Sequence, residues 1–546
     1  MPSGYLSLVL HAHLPFVRHP EHPTFLEEDW LFEAITECYL PLITVLRKLA
    51  EEEVPCRLTL SISPPLAEML DDPLLQTRYR SYLESRMELA DQEVQRTQHD
   101  LALQPLAVMY RQLFGAAHRL FEHYRGNLLK SFRQLQDEGL IEIVTCPATH
   151  AFLPFVSNEG ARRAQLVIAR ETCEHHFGKS PRGLWLPECG YAPALEKLIR
   201  ETGFEYFVLD AHGLLFGNPR PPAGIYAPVK TPEGLIAFGR DLESSRQVWS
   251  SQGGYPGDAD YREFYRDLGY DGQYESLRPY LHTDGVRRNL GIKYHRVTGP
   301  GDLGQRALYH RERALAKAEE HARHFVQSRV EQAASLQQTL GQVPIIVSPY
   351  DAELFGHWWF EGPHFLDQVI RKTASGQSQF KLATLGDVLQ EYPNPVCTHP
   401  VASSWGEQGY QQVWLNERTQ WLYRHQHQAE RCMVELANKF PIANGPLQRA
   451  LNQAARELLL AQSSDWPFLI TRQTAVPYAI RRFRGHIQRF HQLREQILSQ
   501  AIDEGWLQMI ESRDSLFPRL DHRVFCGAEK CLTAVEPLEP TPRGHA

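Results

Sequence analysis

The sequence predicts an α/β fold in which parallel strands close into a barrel, followed by an all-helical region. Three observations support this prediction. Short apolar runs recur through the first 395 residues, helical periodicity separates them, and three long amphipathic stretches follow residue 396. Several runs are continuously apolar rather than alternating, which is typical of parallel strands buried on both faces. A sandwich of antiparallel sheets is therefore disfavoured.

The candidate strands are seven runs rich in β-branched, aromatic and aliphatic residues. Helical stretches lie between them, so each strand can be followed by a crossover to a parallel neighbour. We expect a barrel domain over residues 1–395. The seven runs are YLSLVL from Tyr5, RLTLSI from Arg57, LIEIVT from Leu140, GLWLP from Gly183, EYFVLD from Glu205, PIIVSP from Pro344 and FKLATL from Phe380.

Two segments of this domain are too long to be ordinary connections. Residues 66–125 are charged and helix-forming, which predicts a helical insertion. Residues 211–300 are rich in Gly, Pro, Tyr and Asp and show little periodicity, which predicts a loop excursion over the barrel. From Gln305 to about Leu340, a helical stretch leads into the strand at Pro344, as a crossover helix does.

The chain after the barrel predicts a C-terminal helical domain, residues 396–530, that completes the active site. Its amphipathic stretches run over residues 416–439, 446–462 and 475–501. Residues 531–546 combine Pro with few apolar anchors, which predicts a loose tail.

The composition excludes several classes of partner. The 546 residues include 57 Lys and Arg against 65 Asp and Glu, a net charge of −8, so we expect no nucleic acid partner. The N-terminus lacks a signal-peptide pattern, and no apolar stretch is long enough to cross a membrane. Nine cysteines without a CxxC pair fit free thiols in a reducing compartment. We expect a cytoplasmic protein, as a monomer or weak oligomer.

Ionisable residues follow the predicted strands at their carboxyl ends, where barrel enzymes assemble their active sites. Glu188 follows an apolar strand in LWLPECGY, and Asp351, Glu353, His357 and Glu361 share an aromatic-rich segment, SPYDAELFGHWWFEGP. A single acid of this kind can equally be solvated or paired with arginine. Two carboxylates from different strand ends among aromatic rings are what glycosidic chemistry needs, one as nucleophile and one as proton shuttle.

Histidines near two strand ends offer a competing interpretation. His11 and His13 lie on one side of a strand and, with Asp210 or His150, could hold a divalent metal. They could equally hydrogen-bond sugar hydroxyls or a carboxylate. HxH is a weak signal among 25 histidines, so we predict no metal. The chain has no phosphate-binding loop and no GxSxG elbow, so no nucleotide cofactor is implied either.

Five segments, in order, resemble the motifs of glycoside hydrolase family 57, and most closely those of its 1,4-α-glucan branching enzymes. The resemblance implies a distorted (β/α)7 barrel, a helical insertion and a C-terminal helical domain. It also implies a retaining double displacement on α-1,4-glucans such as amylose and glycogen, without a cofactor. The segments are HAHLPF, EIVTCPATHAF, LWLPECGY, SPYDAELFGHWW and SSWGEQGY.

Transferred motif by motif, the resemblance assigns Glu188 as nucleophile and Asp351 as general acid/base. It places three histidines, two tryptophans of the later segments and several other residues at the substrate. Asp465 could instead have a purely structural role, since Ser463, Ser464 and Asp465 together also suit a helix cap. The implied substrate-binding residues are His11, His13, His150, Arg240, Trp249, Gly257, Trp405, Trp414 and Asp465.

One departure concerns the connection after the fifth strand. Branching members resemble one another in a long loop there that bears a tyrosine, whereas this chain has the short, Pro-rich GLLFGNPRPPAGI. Weak branching and partial hydrolysis are both open. Three further functions stay open as well: a 4-α-glucanotransferase or α-amylase, a metal-dependent polysaccharide hydrolase, and a glycan-binding protein without activity.

Overall fold

The fold is described from a computed structural model covering residues 2–250, 253–299, 301–375 and 380–526. The predicted tail, residues 531–546, lies outside the described residues. Within these ranges the strands are β1 (Gly4–Ala12), β2 (Leu58–Ile62), β3 (Ile141–Val144), β4 (Gly183–Leu184), β5 (Tyr206–Leu209), β6 (Val229–Lys230), β7 (Ile236–Gly239), β8 (Ile345–Asp351) and β9 (Phe380–Leu382).

Seven of these strands form a closed ring in which every neighbouring pair is parallel. β1 pairs with β2 and β8, β2 with β3, β4 with β5, and β5 with β7. Single bridges close the two remaining seams, Thr145 to Leu184 after β3 and Arg240 to Val347 after β7. The predicted α/β barrel is thus confirmed as a seven-stranded ring with two loosely joined seams.

The strand count of seven is right, but one member differs from the prediction. FKLATL forms β9, which pairs only with the first residues of β1, outside the ring. Its place in the ring belongs to β7, inside the segment predicted as a loop excursion. β7 escapes detection because it has only four residues, IAFG, in a chain segment rich in Gly and Pro.

Side-chain alternation fixes which residues point into the ring. Tyr5 and Val9 on β1 and Ile345 and Val347 on β8 belong to one buried cluster inside the barrel. Continuing the same alternation to the carboxyl ends places five polar side chains at the mouth of the barrel. They are His11, Ser61, Asp210, Arg240 and Asp351.

Helices cover the outside of the ring. A π-helix over Ile35–Tyr39 joins the first two α-helices. The helices are α1 (Glu28–Ala34), α2 (Leu40–Glu51), α3 (Pro64–Asp71), α4 (Pro73–Arg96), α5 (Gln104–His123), α6 (Leu129–Asp137), α7 (Glu159–Phe177), α8 (Glu196–Glu201), α9 (Ala211–Leu215), α10 (Leu242–Trp249), α11 (Leu268–Asp271), α12 (Tyr274–Leu277), α13 (Arg311–Leu340), α14 (Gly362–Ala374), α15 (Leu385–Glu391), α16 (Gln420–Lys439), α17 (Gly445–Ala461), α18 (Asp465–Arg472), α19 (Val476–Ser499) and α20 (Glu504–Arg513).

The long helices agree with the amphipathic patterns. α4 and α5 occupy the predicted insertion and pack together, with the rings of Tyr79 and Phe121 4.7 Å apart. α16, α17 and α19 occupy the three predicted C-terminal stretches, and the buried faces of α17 and α19 form their shared core. No helix among the described residues is both long and apolar enough to span a bilayer.

The C-terminal helices reach over the barrel mouth through the start of α18. The backbone of Ser464 donates to His150 O at 3.2 Å, and Ala151 bridges Ser463. This contact carries Asp465 to the carboxyl ends of the strands.

Candidate active site

Glu188 sits on a sharp turn directly after β4. Both Glu188 and Cys189 have left-handed backbones, with φ of 62° and 51°, which costs free energy for residues other than glycine. Trp405 holds the turn, because its backbone N–H donates to Glu188 O at 2.9 Å and its Nε1–H donates to Glu188 Oε2 at 2.7 Å. The carboxylate is thereby fixed in one orientation.

The surroundings of Glu188 disfavour its charged form. Burial raises the pKa of Glu188 to about 7, with a further increase from the charge of Asp465. The hydrogen bond from Trp405 acts in the opposite direction, because it stabilises the carboxylate. A carboxyl group with this pKa is available as an anion at neutral pH.

Asp351 ends β8 and points into the barrel mouth. Burial raises its pKa well above the ordinary value, and the charges of Glu353 and Glu188 raise it further, against the lowering effect of Arg240. The charge of Glu188 therefore acts on Asp351 across the mouth. The pair meets the requirement for acid and base roles on two carboxyl groups, one keeping its proton while the other loses it.

Two histidines, one on β1 and one just after it, are matched by two serines at the end of the neighbouring strand β2. His11 lies opposite Ser61 in the register of β1 and β2, and its Nδ1 is 2.9 Å from Ser61 Oγ. Two residues on, His13 Nδ1 is 2.9 Å from Ser63 Oγ. The HxH of one strand thus meets the SxS of the other, which fixes both rings.

The third histidine completes a stack of imidazoles. The His13 and His150 rings lie 3.7 Å apart with an angle of 10° between them. His150 Nε2 is 2.9 Å from His11 Nε2, and its Nδ1 is 2.8 Å from Ser464 Oγ. Burial lowers the pKa of both His11 and His150 well below the ordinary value, so both rings are neutral at neutral pH.

Asp465 is the acid of this cluster. His13 Nε2 lies 3.1 Å from its Oδ2 and 3.2 Å from its Oδ1. Burial alone would raise the pKa of Asp465, but attraction to His13 and hydrogen bonds from His13 and Ser463 outweigh it and leave the pKa below the ordinary value. Asp465 is therefore an anion that can accept hydrogen bonds from sugar hydroxyl groups.

The same cluster brings three residues that could ligate a metal, His13, His150 and Asp465, to within 4.8 Å of one another. The geometry does not fit. A zinc ion lies about 2.0 to 2.1 Å from each histidine nitrogen, along a lone pair in the plane of the ring. The two imidazoles are stacked and nearly parallel, so their lone pairs run side by side and do not converge on one point.

The aromatic-rich segment after β8 divides between two environments. Glu353 faces the mouth, where its Oε1 accepts from the His13 backbone at 3.1 Å and from Tyr39 Oη at 2.5 Å. His357 and Glu361 point away. His357 Nδ1 lies 2.7 Å from Glu37 Oε2, and Glu361 Oε1 accepts from the Arg262 backbone at 3.2 Å.

A charged side chain and two tryptophans line the other flank of the mouth. Arg240 donates to Asp210 Oδ2 at 3.2 Å, and its guanidinium lies 5.3 Å from the centre of the Trp405 ring. Trp249 meets Trp405 edge-on at 5.8 Å. These three predicted substrate contacts are therefore neighbours at the barrel mouth.

Two other predicted contacts lie elsewhere. Trp414 is 1% exposed and stacks on Phe152, so it packs beneath the turn that carries Trp405 and offers no surface to a sugar. Gly257 ends a short turn whose Tyr255 packs on His321 and His324 of α13. A substrate role for Gly257 remains a prediction.

Several site residues escaped the sequence analysis. Ser61 and Ser63 carry a detectable signal, since their SxS spacing matches HxH on the preceding strand. Ser464 was interpreted only as a helix cap. Tyr39 carries no local signal, because its approach to Glu353 depends on the π-helix turning it toward the barrel.

Comparison with known families gives two matches. Residues 7–402 match the profile of glycosyl hydrolase family 57, and residues 425–525 match the C-terminal domain of 1,4-alpha-glucan branching enzymes. Together they account for most of the barrel and of the helical region.

Individual relatives extend over nearly the whole chain. A 1,4-alpha-glucan branching enzyme of Thermococcus kodakarensis is 32% identical over 94% of this chain and 77% of its own length. Among solved structures, the branching enzyme of Pyrococcus horikoshii is 33% identical, with a TM-score of 0.87 over 96% of this chain and 97% of its own. The alpha-amylase AmyC of Thermotoga maritima is 43% identical, with a TM-score of 0.90 over 96% of this chain and 99% of its own.

Proposed function

Because the chain belongs to glycosyl hydrolase family 57, we propose that it is a retaining α-glucan enzyme that builds α-1,6 branches from α-1,4-linked chains. The observation that supports this most directly is the pair formed by Glu188 and Asp351. They come from different strand ends and both lie at the barrel mouth, where burial raises the pKa of each and the charge of Glu188 raises that of Asp351 further. Nucleophile and proton shuttle are the roles such a pair can divide.

The first half-reaction breaks an α-1,4 bond. The Glu188 carboxylate attacks the anomeric carbon while protonated Asp351 gives its proton to the departing oxygen, which leaves as the 4-hydroxyl of the released chain. A covalent glycosyl-enzyme remains on Glu188. The charge of Glu188 raises the pKa of Asp351, so esterifying Glu188 removes that charge and lowers the pKa of Asp351 for its next step.

The second half-reaction forms the new bond. Asp351, now ionised, takes the proton from the 6-hydroxyl of an acceptor glucan, whose oxygen attacks the anomeric carbon and displaces Glu188. Two inversions give net retention, which requires carboxyl groups about 5 to 5.5 Å apart. A crystal structure that separates them by about 8 Å or more would contradict the mechanism.

The donor sugar requires a hydrogen-bonding pocket beside Glu188. We assign this role to Asp465 with the stacked His13 and His150. Every nitrogen of these imidazoles already has a protein partner, so the histidines act mainly by holding Asp465 and presenting their edges. Asp465 keeps acceptor capacity for sugar hydroxyls.

The substrate that we propose is a storage glucan such as glycogen or amylose, which implies a cytoplasmic enzyme. Branching relatives that cover most of the chain support the reaction, as does the C-terminal domain match. Free cysteines among the described residues suit a reducing compartment.

An α-amylase is the second candidate, because the 43% identity with AmyC exceeds the identity with the branching relatives reported above. The two activities share every step up to the glycosyl-enzyme and differ only in whether water or a 6-hydroxyl accepts the sugar. The short connection after β5 is the sequence feature that favours water.

Proton NMR of amylose incubated with the purified chain tests the proposal. We expect new α-1,6 signals, loss of iodine colour and short chains after debranching, with few new reducing ends. Reducing ends that rise without α-1,6 signals would establish an amylase, and elongated linear maltooligosaccharides a 4-α-glucanotransferase. Binding without any change in chain length would establish a non-catalytic glycan-binding protein.

A further inference from the structure

We infer that Tyr410, supported by His212, forms an outer subsite that binds the acceptor glucan and so favours transfer over hydrolysis. This inference rests on the proposed function. It concerns a surface beyond the mouth of the barrel, and it depends on one exposed ring, the turn that holds it, and a line of contacts back to Glu188.

Tyr410 is exposed on a rigid turn. Tyr410 is 54% exposed, although an aromatic ring left in water adds no hydrophobic stabilisation to the fold. The turn is closed by the Ser404 backbone donating to Gly409 O at 3.1 Å and by Gly409 donating to Gly406 O at 2.9 Å. These hydrogen bonds hold the backbone that carries the ring, so the ring is presented to a ligand from a preorganised turn.

Two positions of this turn, Gly406 and Gly409, do not easily accept a side chain. A Cβ at Gly406 would lie 2.7 Å from the buried Trp414 ring, and one at Gly409 would lie 2.8 Å from His212 Cε1. Gly409 also has φ of 80°, which favours glycine. The backbone therefore fits closely between Trp414 below and His212 beside it, and this fit determines where Tyr410 stands.

A continuous line of contacts joins Tyr410 to the reacting groups. The Tyr410 ring meets the His212 ring edge-on at 5.8 Å, and His212 Nδ1 is 2.9 Å from Asp210 Oδ1. Asp210 accepts from Arg240, which lies over Trp405, the hydrogen-bond donor to Glu188.

The contacts that run from Tyr410 through His212 and Asp210 to Arg240 lie on the side of the site where the acceptor glucan binds. Arg240 bridges Val347 of β8, the strand that ends at Asp351, and its charge lowers the pKa of Asp351, the group that exchanges a proton with the departing and the incoming oxygen. The donor pocket around Asp465 belongs to the opposite flank, held by β1 and by α18. A glucan whose 6-hydroxyl reaches Asp351 therefore extends past Arg240 and Asp210 toward Tyr410.

The chemistry of the surface suits a glucan. A tyrosine ring offers an apolar face for the C–H face of glucose and a hydroxyl for its rim. The neighbouring Glu407 and Gln408 are exposed and add polar groups for sugar hydroxyls. Stacking on a second chain would hold the acceptor in place while water competes for the glycosyl-enzyme.

The test compares transfer with hydrolysis in Tyr410→Ala, using amylose as donor and maltoheptaose as acceptor. We expect the ratio of transfer to hydrolysis to fall at least fivefold, with total donor cleavage within twofold of wild type. Tyr410→Trp should restore the ratio, since it keeps a flat ring. Tyr270→Ala is the matched control, because Tyr270 is 52% exposed and lies on α11.

An unchanged ratio in Tyr410→Ala overturns the inference, and so does an equal loss of transfer and hydrolysis, which would indicate damage to the donor pocket. The products of the wild-type enzyme distinguish a failure of this inference from a failure of the proposed function. If it elongates maltooligosaccharides without α-1,6 signals, branching fails but the ratio still tests Tyr410. A wild type that transfers nothing overturns both.

Discussion

Two clusters of buried titratable residues use the same side-chain types for different ends. One is the mouth cluster, His13, His150 and Asp465, and the other is the helix cluster, Glu457, His486 and Asp514. Each brings imidazole and carboxylate groups within 4.8 Å of one another, with two histidines and one carboxylate at the mouth and one histidine and two carboxylates among the helices. Residue types and spacing alone do not distinguish them.

The helix cluster is neutralised by arginine. Arg489 Nε donates to Glu457 Oε2 at 3.0 Å, and its Nη2 lies 3.0 Å from Asp514 Oδ2. His486 Nδ1 is 2.7 Å from Glu457 Oε2, with both side chains fully buried. Every charge is paired and solvent is excluded, so the cluster contributes to packing and leaves no group for a ligand.

Among the described residues, the mouth cluster forms no ion pair with arginine, and it keeps some access to solvent. The side chains of His13 and Asp465 are 10% and 16% exposed, and the cation paired with Asp465 is a histidine. The comparison teaches that access and the identity of the cation, rather than burial or the presence of histidine, separate a functional cluster from a structural one.

The largest effect should come from removing the nucleophile. In Glu188→Gln we expect kcat to fall on the order of 10⁴-fold or more, with the fold retained. The wild type bears a buried carboxyl whose pKa is about 7 against 4.5 ordinarily, so its stabilising effect is present below about pH 4.5 and lost as pH rises through 7. The melting temperature of the variant relative to wild type should therefore be higher at pH 8 than at pH 5.

Glu457→Gln, in the helix cluster, should lower stability and leave activity nearly unchanged. Removing one carboxylate leaves the Arg489 guanidinium buried with less compensation, at a cost of about 3 kcal/mol of unfolding free energy. Activity per folded molecule should stay within twofold of wild type. Urea denaturation and initial rates at 25 °C measure both quantities, and a large loss of activity without loss of stability would break the comparison.

The serines that hold the mouth histidines offer a finer test. In Ser63→Ala we expect kcat/KM to fall about tenfold, or about 1.4 kcal/mol, because the His13 ring loses its hydrogen bond at Nδ1 and holds Asp465 less firmly. Ser131→Ala is the control, since the Ser131 hydroxyl is buried with no hydrogen-bond partner among the described residues. Equal losses in the two variants would refute a positioning role.

The pH dependence of kcat/KM should change when Trp405 is substituted. Activity needs Glu188 ionised and Asp351 protonated, so kcat/KM should rise through about pH 7 and fall again at higher pH. Trp405→Phe removes the donor that stabilises the Glu188 carboxylate, so its pKa rises and the ascending limb moves to higher pH. Trp421→Phe, on α16, should leave the limb in place.

The smallest expected effect is that of a chelator. The stacked rings of His13 and His150 do not converge on a metal, so dialysis against EDTA should leave activity unchanged within error. A loss that zinc restores would show that the mouth cluster rearranges to bind metal, and would remove the distinction between the two clusters drawn above.

The sequence by itself determined the elements and the direction of their side chains. Alternation along a strand is a local property, so the inward direction of His11 and Asp351 follows from the pattern, as do the long helices α16, α17 and α19. The acids at strand ends were found for the same reason. β7 was missed because four residues carry too little periodicity to outweigh the surrounding Gly and Pro.

Only the tertiary structure decided which residues meet. Trp405 reaches Glu188 and Asp465 reaches His13 across more than two hundred residues of chain, through contacts that no local pattern encodes. The same packing buried Trp414 beneath the turn, turned His357 toward Glu37, and left Tyr410 exposed. Side-chain direction is set by the backbone of a single strand, whereas proximity, burial and pKa depend on the free energy of the whole packed chain.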